Sequence, residues 1–316
     1  AVVDYSGGSG NILNFMYTVL EGHSTSDLDY KATSSLALNS GTIKATDDNS
    51  DATLTLVAPG SNGSLGEAKS YVVDGVKPTI TGTTIASNNA TISVTFSEAV
   101  YDTNGGSGAL EVGDFALSIS GGTATVAATP SSISISGNVY TLGLTLTGTP
   151  DGSETLTVVP SGATAIYDVV GNTASTTQSN NTVSLNDQAA PTLSSVAIAS
   201  NNSTTTLAKV DDVVTLTFTA SETIQTPVVT FTSGSAAVTD TSITYANASG
   251  NTWTAAYTAN TSDTNGTVAY SIAFSDLSSN AGTAVTSGSG SVTFNKAVPT
   301  LSSVAIASNN STTTLA

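Results

Sequence analysis

Hydrophobic and polar residues alternate along most of this chain, with the period of two that is typical of half-buried β-strands. The alternation is clearest at residues 91–96, which read TISVTF, and at residues 212–218, which read DVVTLTF. Clusters of Gly, Asn, Asp and Ser separate these segments, as expected for turns between strands. The nearest candidate for a helix, residues 26–38, is short and interrupted. The pattern therefore predicts an overwhelmingly β structure, with helix confined to single turns.

A turn followed by an alternating strand occurs three times. The tripeptide Ser-Gly-Asn lies at residues 9–11, 136–138 and 249–251, and each copy precedes a strand-like segment with apolar residues at every second position. A longer repeat supports the same register: residues 191–208 read PTLSSVAIASNNSTTTLA, and residues 299–316 read the same. Identity over this length indicates a tandem duplication.

The repeat register divides the chain into units of about seven short strands separated by turn residues, which is the pattern of an immunoglobulin-like sandwich. The sequence therefore predicts an all-β fold of tandem immunoglobulin-like β-sandwich domains in a linear array. Four segments follow from this register: the C-terminal half of a domain at 1–76, two domains at 77–188 and 189–297, and the start of a further repeat at 298–316.

The partial units at 1–76 and 298–316 allow two interpretations. One is that the sequence is a window on a longer array. The other is assembly by strand addition, in which residues 299–316 of one chain dock on the open half-domain of the next. We favour the first interpretation, in which the sequence is part of a longer array. A sandwich made of residues 1–76 and 298–316 would lack counterparts of residues 209–240, which include a central strand.

The charge balance limits the class of partner. Twenty-three acidic residues stand against six basic ones, for a formal net charge of −17. Nucleic-acid binding needs a basic surface, so we expect no nucleic-acid partner. No apolar run approaches the length of a transmembrane helix, so we expect no membrane-spanning segment. Cysteine is absent, which excludes a disulfide scaffold.

Acidic loops and linkers are the strongest candidates for chemistry, because calcium prefers carboxylate, carbonyl and amide oxygens. Equivalent positions recur between units, and bound calcium is the one cofactor that these residues suggest. The favoured interpretation is that these residues make Asx turns, their commonest role between strands. The candidate ligands come from the loops, the linkers and the acidic step after a strand: Asp47, Asp74, Glu98, Asp168, Asn172, Asp187, Glu222, Asp276 and Asn280.

No residues form a catalytic set. His23 is the single histidine, and it has no counterpart in the other units. A serine nucleophile needs such a base, so we expect no enzyme activity and no catalytic residues. Phe15, Tyr17, Trp253 and Tyr257 alternate on strands and are expected to pack in cores; a carbohydrate-binding platform is the alternative.

Three motifs resemble the tandem bacterial Ig-like repeats of large secreted surface proteins and adhesins. They are Phe-Ser-Glu-Ala-Val at residues 96–100, the loop at residues 168–172, and the linker from Asp187 to Pro191-Thr192. Two positions depart from these motifs, since Asn295 replaces a linker aspartate and Ser279 replaces the loop glycine.

The resemblance implies an extracellular, cell-surface location and a non-enzymatic rod, fibre or lattice, such as an adhesin stalk or filament. It also implies calcium at domain ends. The expected partners are other copies of the chain or neighbouring repeats. Two alternatives remain open: a self-assembling surface-layer subunit, and a carbohydrate-binding accessory module of a secreted enzyme, whose glycan the sequence does not identify.

Overall fold

A computed structural model describes residues 1–307 of the chain. The chain divides into two compact units, the first spanning residues 1–186 and the second beginning at residue 187. The first unit contains the predicted partial domain together with a sandwich. The domain boundaries predicted from the sequence stay a prediction, and the last part of the segment 298–316 lies outside the described residues.

Short strands make up nearly all the regular structure of the first unit. Helix is confined to α1 (Leu65–Ala68) and a 3-10 turn at Val112–Asp114. The strands are β1 (Tyr5–Ser9), β2 (Ile12–Phe15), β3 (Ser24–Thr25), β4 (Val73–Asp74), β5 (Ile80–Ile85), β6 (Thr91–Phe96), β7 (Phe115–Ser120), β8 (Thr125–Val126), β9 (Ile133–Ser136), β10 (Val139–Gly143), β11 (Leu146–Thr147), β12 (Thr155–Pro160) and β13 (Thr182–Ser184).

The second unit is built from strands alone within the part that the structure describes. These strands are β14 (Leu193–Ser200), β15 (Leu207–Ala208), β16 (Val213–Ala220), β17 (Val228–Ser233), β18 (Ala236–Ala237), β19 (Thr244–Ser249), β20 (Thr252–Thr258), β21 (Gly266–Ala273) and β22 (Thr293–Phe294).

The order of strands within the sheets identifies the fold of both sandwiches. In the second unit one sheet runs β14-β16-β20-β19 and the other runs β15-β22-β21-β17-β18. In the first unit the corresponding sheets run β5-β6-β10-β9 and β13-β12-β7. In both, the first sheet has the A-B-E-D order of immunoglobulin domains and the second contains the G-F-C order. The prediction of an all-β, immunoglobulin-like sandwich fold is confirmed.

Alternating burial along the strands produces one core in each sandwich. Along β6 every second side chain is buried, so that Ile92, Val94 and Phe96 face inward. The Phe96 ring contacts the rings of Phe115, 6.4 Å away between centroids, and Tyr140, 5.6 Å away. The contact with Phe115 on β7 joins the two sheets of the first sandwich, whereas Tyr140 on β10 belongs to the same sheet as Phe96.

The three Ser-Gly-Asn turns occur where the sequence predicted them. They connect β1 to β2, β9 to β10 and β19 to β20. Their glycines, Gly10, Gly137 and Gly250, have φ between +55° and +61°. L side chains rarely adopt this conformation, which explains why glycine occupies the same place in each hairpin.

Residues 1–76 differ from the half-buried strand that their alternation predicts. Strand β2 ends at Phe15, and Leu13 and Phe15 are 42% and 48% exposed. The prediction that Phe15 packs in a core is therefore wrong. The Nδ1 of His23 lies 2.7 Å from the hydroxyl of Tyr17, and the two rings stack. In the second unit, Tyr257 is buried and Trp253 packs against the core, as expected.

None of the helices among residues 1–307 has the length and apolar character needed to cross a membrane.

Candidate metal centres

Three carboxylates that are distant in sequence meet at one place in the first unit. Asp74 ends β4, Glu98 follows β6, and Asp168 lies in the loop between β12 and β13. One carboxylate oxygen from each lies within 4.8 Å of the other two. We call Asp74, Glu98 and Asp168 the first acidic cluster.

The loop at residues 168–172 is organised around the side chain of Asp168, which is fully buried. Its Oδ1 accepts hydrogen bonds from the backbone N–H groups of Val170, Gly171 and Asn172, at 2.9, 2.7 and 2.8 Å. Its Oδ2 accepts a fourth from Nδ2 of Asn172, at 2.7 Å. Asp168 therefore makes the Asx-type turn that was the alternative to metal binding, and it also faces the other carboxylates of the cluster.

Asn172 connects this loop to the linker. Its Nδ2 donates to the backbone carbonyl of Asp74 at 3.0 Å and to that of Val76 at 3.3 Å. The carboxylate of Asp74 in turn accepts from the N–H of Val76 at 3.0 Å. These contacts fix the linker residue Asp74 beside the buried Asp168. A linker residue thus becomes part of a site inside the unit.

The second unit repeats this arrangement with a second acidic cluster, formed by Asp187, Glu222 and Asp276, whose carboxylate oxygens also lie within 4.8 Å of one another. Asp276 is buried and accepts from Nδ2 of Asn280 at 2.7 Å. The same amide group donates to the backbone carbonyl of Asp187 at 3.2 Å. Six carboxylates and two asparagines named from the sequence therefore come together as two equivalent groups of four.

The ninth candidate, Asp47, belongs to neither cluster. It is exposed, and its Oδ1 accepts from the N–H of Asp48 at 3.0 Å. A complete cluster needs a glutamate from the front half of a repeat, such as Glu98 or Glu222. In the predicted repeat register, residues 1–76 have no counterpart of that glutamate.

Among the buried carboxylates that the sequence analysis did not name, Glu154 and Asp263 share one role. Glu154 accepts from the N–H groups of Thr123, Ala124 and Asp151. In the second unit Asp263 has a related role and accepts from the N–H groups of Thr239 and Asn260. Each follows an Asp or Asn by three residues and bonds to its N–H. This spacing resembles a capping box and could have identified them from sequence as turn-forming residues.

The carboxylates of the first cluster affect one another electrostatically. Burial raises the pKa of Glu98 above its ordinary value of 4.5, and the nearby carboxylates of Asp168 and Asp74 raise it further. Like charges in a partly desolvated site disfavour ionisation of each group. A bound cation would offset this repulsion, because its charge has the opposite sign.

This electrostatic strain predicts a pH dependence in the absence of metal. A carboxyl with a raised pKa in the folded state stabilises the fold below its unfolded pKa, near 4.5, and loses that contribution as pH rises through the folded value. In a chelator, wild type should therefore gain unfolding free energy relative to Glu98→Gln as pH falls from neutral toward 4.5. Urea unfolding of both proteins across this range measures the difference, and parallel pH profiles would contradict it.

One loop position distinguishes the two clusters. Gly171 has φ +98°, and its counterpart Ser279 has φ +73°. A Cβ on Gly171 would lie 2.1 Å from Oδ1 of Asn104, so a side chain there would require the side chain of Asn104 to move. Ser279 is accommodated, and its Oγ lies 3.3 Å from Nε2 of Gln225.

We expect Ser279→Gly to raise the unfolding free energy of the second unit by about 0.5–1 kcal/mol, because glycine removes the left-handed backbone penalty. The fluorescence of Trp253, the single tryptophan of the chain, reports unfolding of this unit. The matched change Gly171→Ser should destabilise the first unit by about 1 kcal/mol or more. A loss of stability in Ser279→Gly would show that the bond to Gln225 outweighs the backbone strain.

Comparisons with known proteins identify no family for this chain. No family model and no curated protein matches the chain. Among solved structures, a chimeric titin Z1Z2 functionalised with a KLER exogenous peptide from decorin matches with 13% identity and a TM-score of 0.22. The titin domains Z1Z2 in complex with telethonin match with 14% identity and a TM-score of 0.21. Each match covers 71% of this chain and 98% of the other. With scores this low, neither match adds to what the strand order shows.

Proposed function

We propose that this chain is a non-enzymatic structural repeat region of an extracellular surface protein, in which each sandwich binds a calcium ion at its acidic cluster. The observation that carries the proposal is the recurrence of the same four groups in both units. In each, a linker aspartate, a glutamate, a buried loop aspartate and an asparagine come together. Repetition of a site in every unit suits a structural ion better than a single active site.

The chemistry of the donors fits calcium. Each cluster offers three carboxylates, and an asparagine side chain and a linker carbonyl lie beside them. Calcium takes six to eight oxygen ligands in flexible geometry, and water supplies those that the protein does not. Because Asp74 and Asp187 belong to linkers, an ion at either cluster would hold the linker against its own sandwich and stiffen the chain there.

A rod, fibre or lattice is the larger role that this arrangement supports. Each sandwich in a tandem array is stabilised by its own core. Duplication can therefore add a further sandwich without changing the cores of the others. The copied segment at residues 191–208 and 299–316 is consistent with such growth. We infer an adhesin stalk or filament at a bacterial cell surface, with neighbouring repeats or other copies of the chain as partners. A carbohydrate-binding surface is less well supported, since Trp253 and Tyr257 belong to the core.

Calcium titration tests the proposal. Calorimetry of the chelator-treated chain should show one ion bound per cluster, and saturating calcium should raise the unfolding free energy by about 2.7 kcal/mol at 100 times Kd. Asp168→Asn and Asp276→Asn should each remove one site, because each loses a charged ligand. Asp47→Asn is the matched control, since Asp47 is a loop carboxylate outside both clusters.

The outcome against calcium is equally definite. Extracellular calcium modules bind with Kd values up to about 1 mM. If no heat of binding and no change in melting temperature occur at calcium concentrations well above that value, the clusters are turn-forming carboxylates alone.

A further inference from the structure

One edge of the first sandwich carries none of the features that usually keep an edge strand from pairing. Strand β9 ends the sheet β5-β6-β10-β9, and among residues 1–307 only β10 pairs with it. Its sequence, Ile-Ser-Ile-Ser, contains no charged residue and no proline, and its pairing with β10 is regular. Natural edge strands are usually protected by charges, prolines or bulges. Strand β9 is therefore open to pairing with a further strand.

The ladder between β9 and β10 shows which backbone groups face the open side. In an antiparallel pair, alternate residues of an edge strand bond to the neighbour, and the others direct N–H and C=O away from it. The carbonyl of Ser132 accepts from the N–H of Gly143 at 2.9 Å, which sets this alternation. Ser134 therefore bonds to β10, while Ile133 and Ile135 direct their backbone groups outward.

The side chains of the two isoleucines lie on the core side of the sheet but are incompletely covered. Ile135 lies opposite the buried Tyr140, yet it is 46% exposed. Ile133 is half-buried and packs against the core from the same strand. The core thus reaches the surface along this edge. A further strand beside β9 would cover both side chains and also bond to the outward backbone groups.

The equivalent edge of the second sandwich is protected, which distinguishes β9 from it. Strand β19 also precedes a Ser-Gly-Asn turn and ends its sheet, but its pairing with β20 is irregular after Asn247. Such bulges are a common protection of edge strands. Asn247, which is polar, occupies the place that Ile135 has in β9. The hydroxyl of Tyr245 also accepts from a backbone N–H of β17, in the other sheet, at 2.9 Å.

The distribution of charge indicates that a second copy of the chain is the partner of β9. Because the net charge is −17, two copies repel each other wherever their acidic groups meet. Residues 115–150, which include β9, contain no charged residue. A basic partner would find no opposite charge along this segment, whereas two copies approach each other here with the least repulsion. The strand is also self-complementary, since an isoleucine of one copy can face an isoleucine of the other.

We propose that two copies of the chain associate through β9, which pairs with itself as antiparallel strands about a two-fold axis. Ser134 lies on the axis and faces its own counterpart, so that Ile133 of each copy bonds to Ile135 of the other. The contact is small and therefore weak between isolated chains, and it strengthens where many chains lie side by side. The inference rests on the proposed function for this role as a lateral link between rods, but the pairing itself needs no calcium.

Single cysteines test the pairing, because the chain has none of its own. In Ser134→Cys, the two Cα atoms on the axis would lie about 4.5 Å apart, within the range of a disulfide. Ser118→Cys is the matched control, since Ser118 is an exposed serine on β7, in the other sheet of the same sandwich. With oxidised glutathione as oxidant and chelator present, disulfide-linked dimers should form about tenfold faster from Ser134→Cys than from Ser118→Cys.

A second substitution tests the role of the apolar edge. Ile135→Asn gives β9 the residue that β19 has at this place, and in the Ser134→Cys chain it should reduce cross-linking to the rate of the control. Calcium binding should be unchanged, because neither residue belongs to an acidic cluster. Hydrogen exchange of the unmodified chain gives an independent measurement. Rising protein concentration should slow exchange at Ile133 and Ile135 but leave Ser134, already bonded to β10, unaffected.

Each result separates this proposal from the calcium sites. Equal cross-linking of Ser134→Cys and Ser118→Cys, or exchange at Ile133 and Ile135 that does not depend on concentration, would overturn the pairing. Association that appears only when calcium is added would also overturn it, and would assign the contact to the acidic clusters. Rapid cross-linking of Ser134→Cys in a chain that binds no calcium would support the pairing and contradict the calcium proposal alone.

Discussion

Asp168→Ala is expected to lower the unfolding free energy of the first unit by about 3 kcal/mol, measured in chelator so that no metal contributes. The physical reason is the number of donors left without an acceptor. Three backbone N–H groups and the amide of Asn172 bond to this one buried carboxylate. Hydrogen exchange of the β6 and β10 amides measures the stability of this unit directly.

Asp276→Ala is the matched comparison in the second unit. The carboxylate of Asp276 accepts from the backbone N–H of Asn280 and from its Nδ2, at 2.8 and 2.7 Å. Because fewer donors are left without an acceptor, the unfolding free energy of the second unit should fall by about 1–2 kcal/mol. A larger loss in Asp276→Ala than in Asp168→Ala would contradict the view that loop hydrogen bonds, rather than the carboxylate cluster, set the stability of the metal-free sites.

Phe115→Ala should lower the unfolding free energy of the first unit by about 3–5 kcal/mol, which is the usual cost of deleting a fully buried aromatic ring. Phe115 is 1% exposed and contacts the rings of both Phe96 and Tyr140. Its removal leaves a cavity between the two sheets and breaks the contacts that join them. Chemical denaturation followed by the same strand amides gives the change.

The control for this substitution is an exposed residue that also lies in a β-strand. Val228→Ala on β17 should change stability by less than about 0.5 kcal/mol, because Val228 is 62% exposed. The fluorescence of Trp253, which lies in the second unit, should be unaffected in Phe115→Ala at denaturant concentrations that unfold the first core. Simultaneous loss of both signals would show that the two cores unfold together.

The sequence analysis predicted the fold class correctly because the evidence for it is local. Period-two alternation sets which side chains of β6 and β16 face inward, and Ser-Gly-Asn requires a left-handed glycine wherever it occurs. Neither depends on distant residues. The same local reasoning failed for Phe15, whose alternation is as regular as that of Tyr257.

The candidate site was foreseen as a set of equivalent positions, and the sequence could go no further. Asp74, Glu98 and Asp168 come from a linker, a strand end and a loop, and nothing in their local patterns says that they meet. Glu154 was overlooked for a related reason. The donors to its carboxylate, the backbone N–H groups of Thr123 and Ala124, lie in a turn distant from it in sequence.

The sequence by itself determined the strands, their inward faces, the hairpin turns and the repeat register that makes Asp168 equivalent to Asp276. Only the tertiary structure decided which carboxylates share a site and which apolar faces are covered. Both depend on the pairing of strands that are far apart along the chain. Alternation specifies the face that a strand would bury, but burial needs a neighbouring strand. Strand β20 has β16 beside it, whereas β2 has an open edge.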